Sequence, residues 1–137
     1  FKYVLNDQSV GAFAGKLLVK ENCPRTVAYQ GNRNIVASAD AKMYSKPQLE
    51  IYTDDVKCSH GSATGQLNEE AMFYMRSRGI SEAEARQLLM QAFMSDVIDA
   101  VRLPALKDRL HHLVEKRFRG QLAMCADCTA ANCAAAK

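Results

Sequence analysis

Asp54-Asp55-Val56-Lys57-Cys58-Ser59-His60-Gly61, with Gly65-Gln66-Leu67-Asn68-Glu69-Glu70 close behind, is the stretch where this 137-residue chain changes character. Up to residue 66 the sequence reads as short strands, and from Asn68 onward it reads as helix. In an extended strand successive side chains alternate between faces. Cys58 and His60 therefore share one face, and Lys57, Ser59 and Gly61 the other. A thiol and an imidazole on one face are soft metal-ligand types of the kind a transient iron or zinc site uses. The same spacing suits a small buried cysteine beside a hydrogen-bonded edge histidine, and spacing alone favours that structural reading.

Upstream of this junction, strand-like pieces occupy Phe1 to Leu5, Lys16 to Lys20, Asn34 to Ser38, Gln48 to Tyr52 and Val56 to Ala63. Residues with turn chemistry predict breaks at Asn6-Asp7, Cys23-Pro24, Gly31-Asn32, Ser45-Lys46-Pro47 and Thr53-Asp54-Asp55. Strand centres such as Val19, Val36 and Ile51 recur at roughly fifteen-residue intervals, a weak internal period. No amphipathic helix fits between them, so either an antiparallel sandwich or the rungs of a β-solenoid suits the spacing. The lack of Asn-Gly hairpin signals favours the solenoid.

Downstream, Asn68 is a good N-cap, Glu69 and Glu70 place negative charge in a first helical turn, and Gly79 supplies a stop. Ser81-Glu82-Ala83-Glu84 has the pattern of a capping box. Leu88, Leu89, Ala92, Phe93, Val97, Ala100 and Val101 then mark one apolar stripe. Pro104 ends this helix or opens the next, and Leu106, Leu110, Leu113, Val114 and Phe118 form a third amphipathic run closed by Gly120. Phe73, Tyr74, Met75, Leu88, Leu89 and Phe93 are the expected core between helices and β part, with a subset available for docking a partner. Strands first and helices second predict a β domain with a helical cap, not alternating βαβ units. The expected division is residues 1–66, 67–120 and a Cys/Ala-rich tail at 121–137.

Composition narrows the function. With 48% apolar and 24% charged residues the chain has the makeup of a globular protein able to bury a core. The net charge of +3 is modest, and its densest cationic group, Lys116-Arg117-Phe118-Arg119, falls at a helix end where the macrodipole favours it. Nucleic-acid binding therefore has little support. No apolar run approaches the ~20 residues of a membrane span, and no signal-peptide pattern is present. A strand at the first residue, without a Met, suggests the C-terminal part of a longer protein. There is no P-loop, so any ATP turnover belongs to a partner.

The five cysteines are an odd number and do not form a disulfide framework, which favours a reducing cytoplasm. Cys125, Cys128 and Cys133 have metal-ligand spacing, and His111 or His112 would complete four ligands for zinc. A tail carrying incidental thiols is the competing reading. A cysteine hydrolase using Cys58 with His60 as base lacks both an orienting third group and a helix N-terminus behind the thiol.

The motifs taken together resemble the SufB/SufD family of iron–sulfur cluster assembly scaffolds, most closely the C-terminal part of SufD. The resemblance is carried by Tyr29-Gln30-Gly31-Asn32-Arg33-Asn34, Lys46-Pro47-Gln48-Leu49-Glu50-Ile51, the two junction segments, and Phe73-Tyr74-Met75-Arg76-Ser77-Arg78-Gly79-Ile80. These cover residues 27 to about 100 in order and at compatible spacing, and the Lys-Cys-Ser-His-Gly run favours SufD over SufB. The resemblance implies a mainly β fold with α: a right-handed parallel β-helix followed by a helical domain. It also implies pairing with a SufB-like subunit and docking of a SufC-like ATPase on the helices. Cys58 and His60, His60 above all, would contribute to a transient iron–sulfur cluster at the subunit interface. Apart from the resemblance, Asp54 and Asp55 are near enough in sequence to support the histidine, although an acidic pair before a strand is more often part of a turn. The family implies no enzymatic activity for this subunit, and self-association as a homodimer is expected when the partner is absent. Cys23 and the tail cysteines lie outside the motifs and inherit no role.

Overall fold

The computed structural model describes residues 1–121. Five strands come first: β1 (Lys2–Leu5), β2 (Val10–Val19), β3 (Val27–Val36), β4 (Lys42–Ile51) and β5 (Lys57–Gly65). Three helices follow: α1 (Glu69–Ser77), α2 (Glu82–Asp99) and α3 (Pro104–Phe118). The strands form two sheets, β1-β3-β5 and β2-β4, and every pairing is parallel. Lys2 pairs with Arg33, Val10 with Lys42 and Val27 with Lys57, so each strand stacks on the strand two before it, 30 to 32 residues back. The antiparallel alternative is thereby removed. The weak sequence period is half this return distance because the chain visits the two sheets in turn.

Strand number and type agree with the sequence, but two of the expected breaks do not. Gly31-Asn32 lies in the middle of β3 and Ser45-Lys46-Pro47 in the middle of β4. Pro47 is tolerated because, among the described residues, β4 pairs with β2 alone, leaving an edge where a missing N–H costs no ladder bond. Turns fall at the other three predicted breaks and also at residues 38–40 between β3 and β4, which the turn chemistry of the sequence does not mark. Asp7 and Asp55 take left-handed backbone conformations with φ of 55° and 58°.

Asn32 and Asn34 are strand residues because their side chains point between the sheets and satisfy one another. Asn32 Nδ2 donates to Asn34 Oδ1 at 3.0 Å, and Asn34 Nδ2 donates back to Asn32 Oδ1 at 2.8 Å. Ser45 Oγ and Ser62 Oγ also donate to Asn32 Oδ1, at 2.9 and 3.3 Å, and Asn34 Nδ2 reaches Thr64 Oγ1 at 3.2 Å. Asn32 and Asn34 are only 0% and 3% exposed. A buried amide is costly unless paired, so this closed set of bonds is what makes the polar layer stable. The layer before it is apolar: Leu5, Phe13 and Val19 are buried, and the Phe13 ring lies 5.0 Å from that of Phe1 and 6.3 Å from that of Tyr3.

The helix ends follow the sequence closely. Asn68 Oδ1 accepts from Ala71 N at 2.9 Å, and Ser81 Oγ accepts from Glu84 N at 3.3 Å. Gly79 takes a φ of 87° just past α1, the left-handed conformation a glycine stop requires. Pro104 occupies the first turn of α3, so it opens that helix.

The expected helical core needs correction. Phe73 and Tyr74 are 75% and 59% exposed, Leu88 is also exposed, and the buried residues of α2 are Ala85, Met90 and Ile98. The short α1 packs on α2 by one side only, so its aromatic residues face outward. Two basic side chains tie the helices to the strands. Arg86 donates to the carbonyl of Ala37. Lys2, 7% exposed, donates to the Phe93 carbonyl at 2.5 Å and the Asp96 carboxylate at 2.6 Å, with its ammonium 4.4 Å from the Phe93 ring centroid. The bond from Lys2, and then its charge, hold the Asp96 carboxyl below the usual carboxylate range.

Candidate functional site

β5 pairs with β3 on one side and with no other strand among the described residues. Register places Cys58 opposite Ala28, His60 opposite Gln30, Ser62 opposite Asn32 and Thr64 opposite Asn34. Because Ser62 and Thr64 bond to the interior asparagines, Cys58 and His60, at the same parity along β5, belong to that inward face. Cys58 is a half-buried free thiol and His60 is exposed. The strand thus carries a row of Cys, His, Ser and Thr whose far half is engaged in the polar layer. Its near half, the thiol and the imidazole, stands where nothing has closed over it among the described residues.

Two donors do not make a closed metal cage. Among the described residues no group of three His, Cys, Asp or Glu is placed to hold a metal ion. A site built on Cys58 and His60 therefore needs ligands from another chain or from the cargo itself, as a cluster that must later leave would require. Asp54 and Asp55 are exposed turn residues, and neither carboxylate is hydrogen-bonded to His60 among the described residues. Asp55 instead lends its backbone carbonyl to the amide of Arg25 at 2.7 Å, which joins the β4–β5 turn to the β2–β3 turn beneath it. Arg25, Thr26, Val27, Asp55 and Lys57 line a shallow cleft of about 350 Å³ there.

The remaining candidates lie elsewhere. Cys23 is an exposed turn thiol whose carbonyl accepts from Thr26 Oγ1 at 2.8 Å. His111 Nε2 lies 3.3 Å from Asp99 Oδ1 on the α2–α3 side, and His112 is exposed. Cys125, Cys128 and Cys133 lie outside the described residues. What sequence reasoning missed is the polar layer, although a signal existed. Gln30-x-Asn32-x-Asn34 repeats a polar residue with the strand period, and His60-x-Ser62-x-Thr64 answers it 30 residues on.

Parallel strands returning to the same sheet every 30 to 32 residues, followed by three helices, define a class of stacked-strand protein, here with a cysteine and a histidine on its last described strand. Residues 1–93 match the SufBD core domain of the SUF system for iron–sulfur cluster assembly, and the chain belongs to that family. It is 40% identical over 116 residues to an iron–sulfur cluster assembly SufBD family protein of Synechocystis, covering 85% of this chain and 26% of that one. It is 36% identical over 119 residues to the iron–sulfur cluster assembly protein SufD of Escherichia coli, covering 87% of this chain and 28% of that one. A SufBD family protein of Mycobacterium leprae is 38% identical over 104 residues, 75% of this chain and 26% of its own. The chain spans about a quarter of the length of the relatives it matches.

Proposed function

We propose that this chain is part of a SufD-like scaffold subunit that helps to assemble iron–sulfur clusters and is not itself an enzyme. The observation that carries the proposal is the placement of Cys58 and His60 on one face of β5, at an edge that no other described strand pairs with in a SufBD-family sheet. The two alternating sheets are the walls of a right-handed parallel β-helix in this reading, because a connection between parallel strands runs right-handed. Residues 1–66 are its rungs and residues 67–120 a separate helical domain.

A SufB-like subunit pairs at the β5 edge and supplies the missing ligands. The nascent cluster is cargo, held there transiently by the imidazole of His60 and the thiolate of Cys58 together with the partner's groups. A SufC-like ATPase docks on the helices, where the aromatic side chains of Phe73 and Tyr74 are exposed. Its dimerisation strains the helical domain, opens the subunit contact and admits iron and sulfide to the Cys58/His60 face. The setting is cytoplasmic. No helix among the described residues is long and apolar enough to cross a membrane.

The test is His60→Ala in the assembled three-component complex. Assembly stays intact and cluster build-up is abolished if His60 is a ligand; unchanged cluster formation removes it from that role.

A further inference from the structure

We propose that Gln30 is a positioning residue for His60. Its side-chain carbonyl oxygen accepts the N–H of one imidazole nitrogen, which fixes the tautomer and leaves the other nitrogen as the free lone pair. The ligand consequence rests on His60 being a ligand, as proposed above; the hydrogen bond itself does not.

Gln30 and His60 are direct partners in the parallel register of β3 and β5, and both lie on the inward face. Neighbouring strands run ~4.8 Å apart, so two such side chains stand alongside each other within hydrogen-bonding reach. The next two pairs in the row show what this geometry does: Asn32 bonds Ser62 and Asn34 bonds Thr64 across the same two strands. Gln30 breaks the pattern. Its Oε1 is buried and has no hydrogen-bond partner, the one side-chain atom in that state among the described residues.

Gly15 explains why the amide sits there. A Cβ on Gly15 would fall 1.8 Å from Gln30 Nε2 and 2.4 Å from the Phe13 ring, so the missing side chain of Gly15 is the space that the end of Gln30 occupies. The nitrogen end of the amide is thus lodged against the opposite sheet, and the carbonyl end is left to accept. His60 supplies what the carbonyl lacks: it is exposed and its ring makes no hydrogen bond to any described residue, so the ring is free to turn an N–H toward Gln30. A histidine that binds a metal through one nitrogen is generally held by such an acceptor on the other.

The test uses the full chain, labelled with ¹⁵N, at a pH well above the imidazole range so that every histidine is neutral. Long-range proton–nitrogen spectra report which ring nitrogen carries the proton. His112, exposed and with no side-chain hydrogen bond among the described residues, serves as the internal standard for an unconstrained ring. His60 should show one dominant tautomer where His112 shows the free mixture. Gln30→Met, which keeps the length and removes the acceptor, should make His60 resemble His112, and Gln30→Glu should restore the single tautomer.

In the assembled complex Gln30→Met should weaken cluster or iron retention by about 10- to 100-fold, the usual effect of losing such a support. A free tautomer mixture at His60 in the unsubstituted chain overturns the proposal without any variant, and so does a Gln30→Met spectrum identical to it. Should His60→Ala leave cluster formation unchanged, the ligand reading fails while the tautomer spectra still decide the hydrogen bond.

Discussion

Between the two sheets, β1 and β2 contribute Tyr3 and Phe13, with the exposed Phe1, the residue before β1, against Phe13, whereas β3, β4 and β5 contribute Asn32, Asn34, Ser45, Ser62 and Thr64. Phe1 is followed along the stack by Asn32 and then Ser62, Tyr3 by Asn34 and then Thr64, and Phe13 by Ser45. The first layer holds together by removing aromatic area from water, a force without direction. The second holds together by bonds that form only when the asparagines of β3 sit level with the hydroxyls of β4 and β5. A slip of one residue would turn every one of those groups to the opposite face. Apolar packing gives the stack its stability, and the polar layer gives the last strand its register, which is what aims Cys58 and His60 inward.

The largest effect on that contrast should come from Phe13→Ala, which empties the aromatic cluster and should cost about 3–5 kcal/mol in denaturant unfolding. A loss under 1 kcal/mol would mean that the apolar layer is not the anchor. Asn32→Leu comes next. It removes the acceptor shared by Asn34, Ser45 and Ser62, and should cost roughly 2 kcal/mol because buried donors are left unmet. If it left stability unchanged or raised it, the polar layer would be mere filler and the contrast would collapse.

Gly15→Ala should cost about 1–3 kcal/mol through overpacking against Gln30 and Phe13, where the two layers meet. The smallest effect concerns the helical attachment. Asp96, held below the usual carboxylate range by Lys2, stabilises the neutral protein, and that contribution is lost only as the pH falls through its lowered value. Asp96→Asn should therefore lower stability at neutral pH and make no difference in strong acid, as read from unfolding curves at the two pH values. An equal difference at both would show that the charge on Asp96 is not what counts.

Most of the helical half was legible in the sequence because its signals are local. Asn68, Gly79, Ser81 and Pro104 each act within one turn of their own position, and each performs the expected task. The β half was legible in strand number but not in extent. Gly31-Asn32 and Ser45-Lys46-Pro47 carry turn residues, and only contacts 13 and 30 residues away along the chain make Asn32 a strand interior. No local rule contains that information. The same limit hid Gln30 beside the candidate site, while alternation put Cys58 and His60 on one face and only the family resemblance made them a candidate site. The exposure of Phe73 and Tyr74 was missed for a related reason: a stripe of apolar residues says that something covers it, not that the cover belongs to the same chain.

The central claim is that this polar, register-fixed edge presents His60 to a cluster shared with another subunit. Pulsed electron paramagnetic resonance on the reduced cluster of the assembled complex tests it most directly, with only this chain carrying ¹⁵N-histidine. A ¹⁵N hyperfine coupling that disappears in His60→Ala is the predicted result. Its absence from the unsubstituted complex, with a cluster present, or its persistence in the variant, would contradict the account.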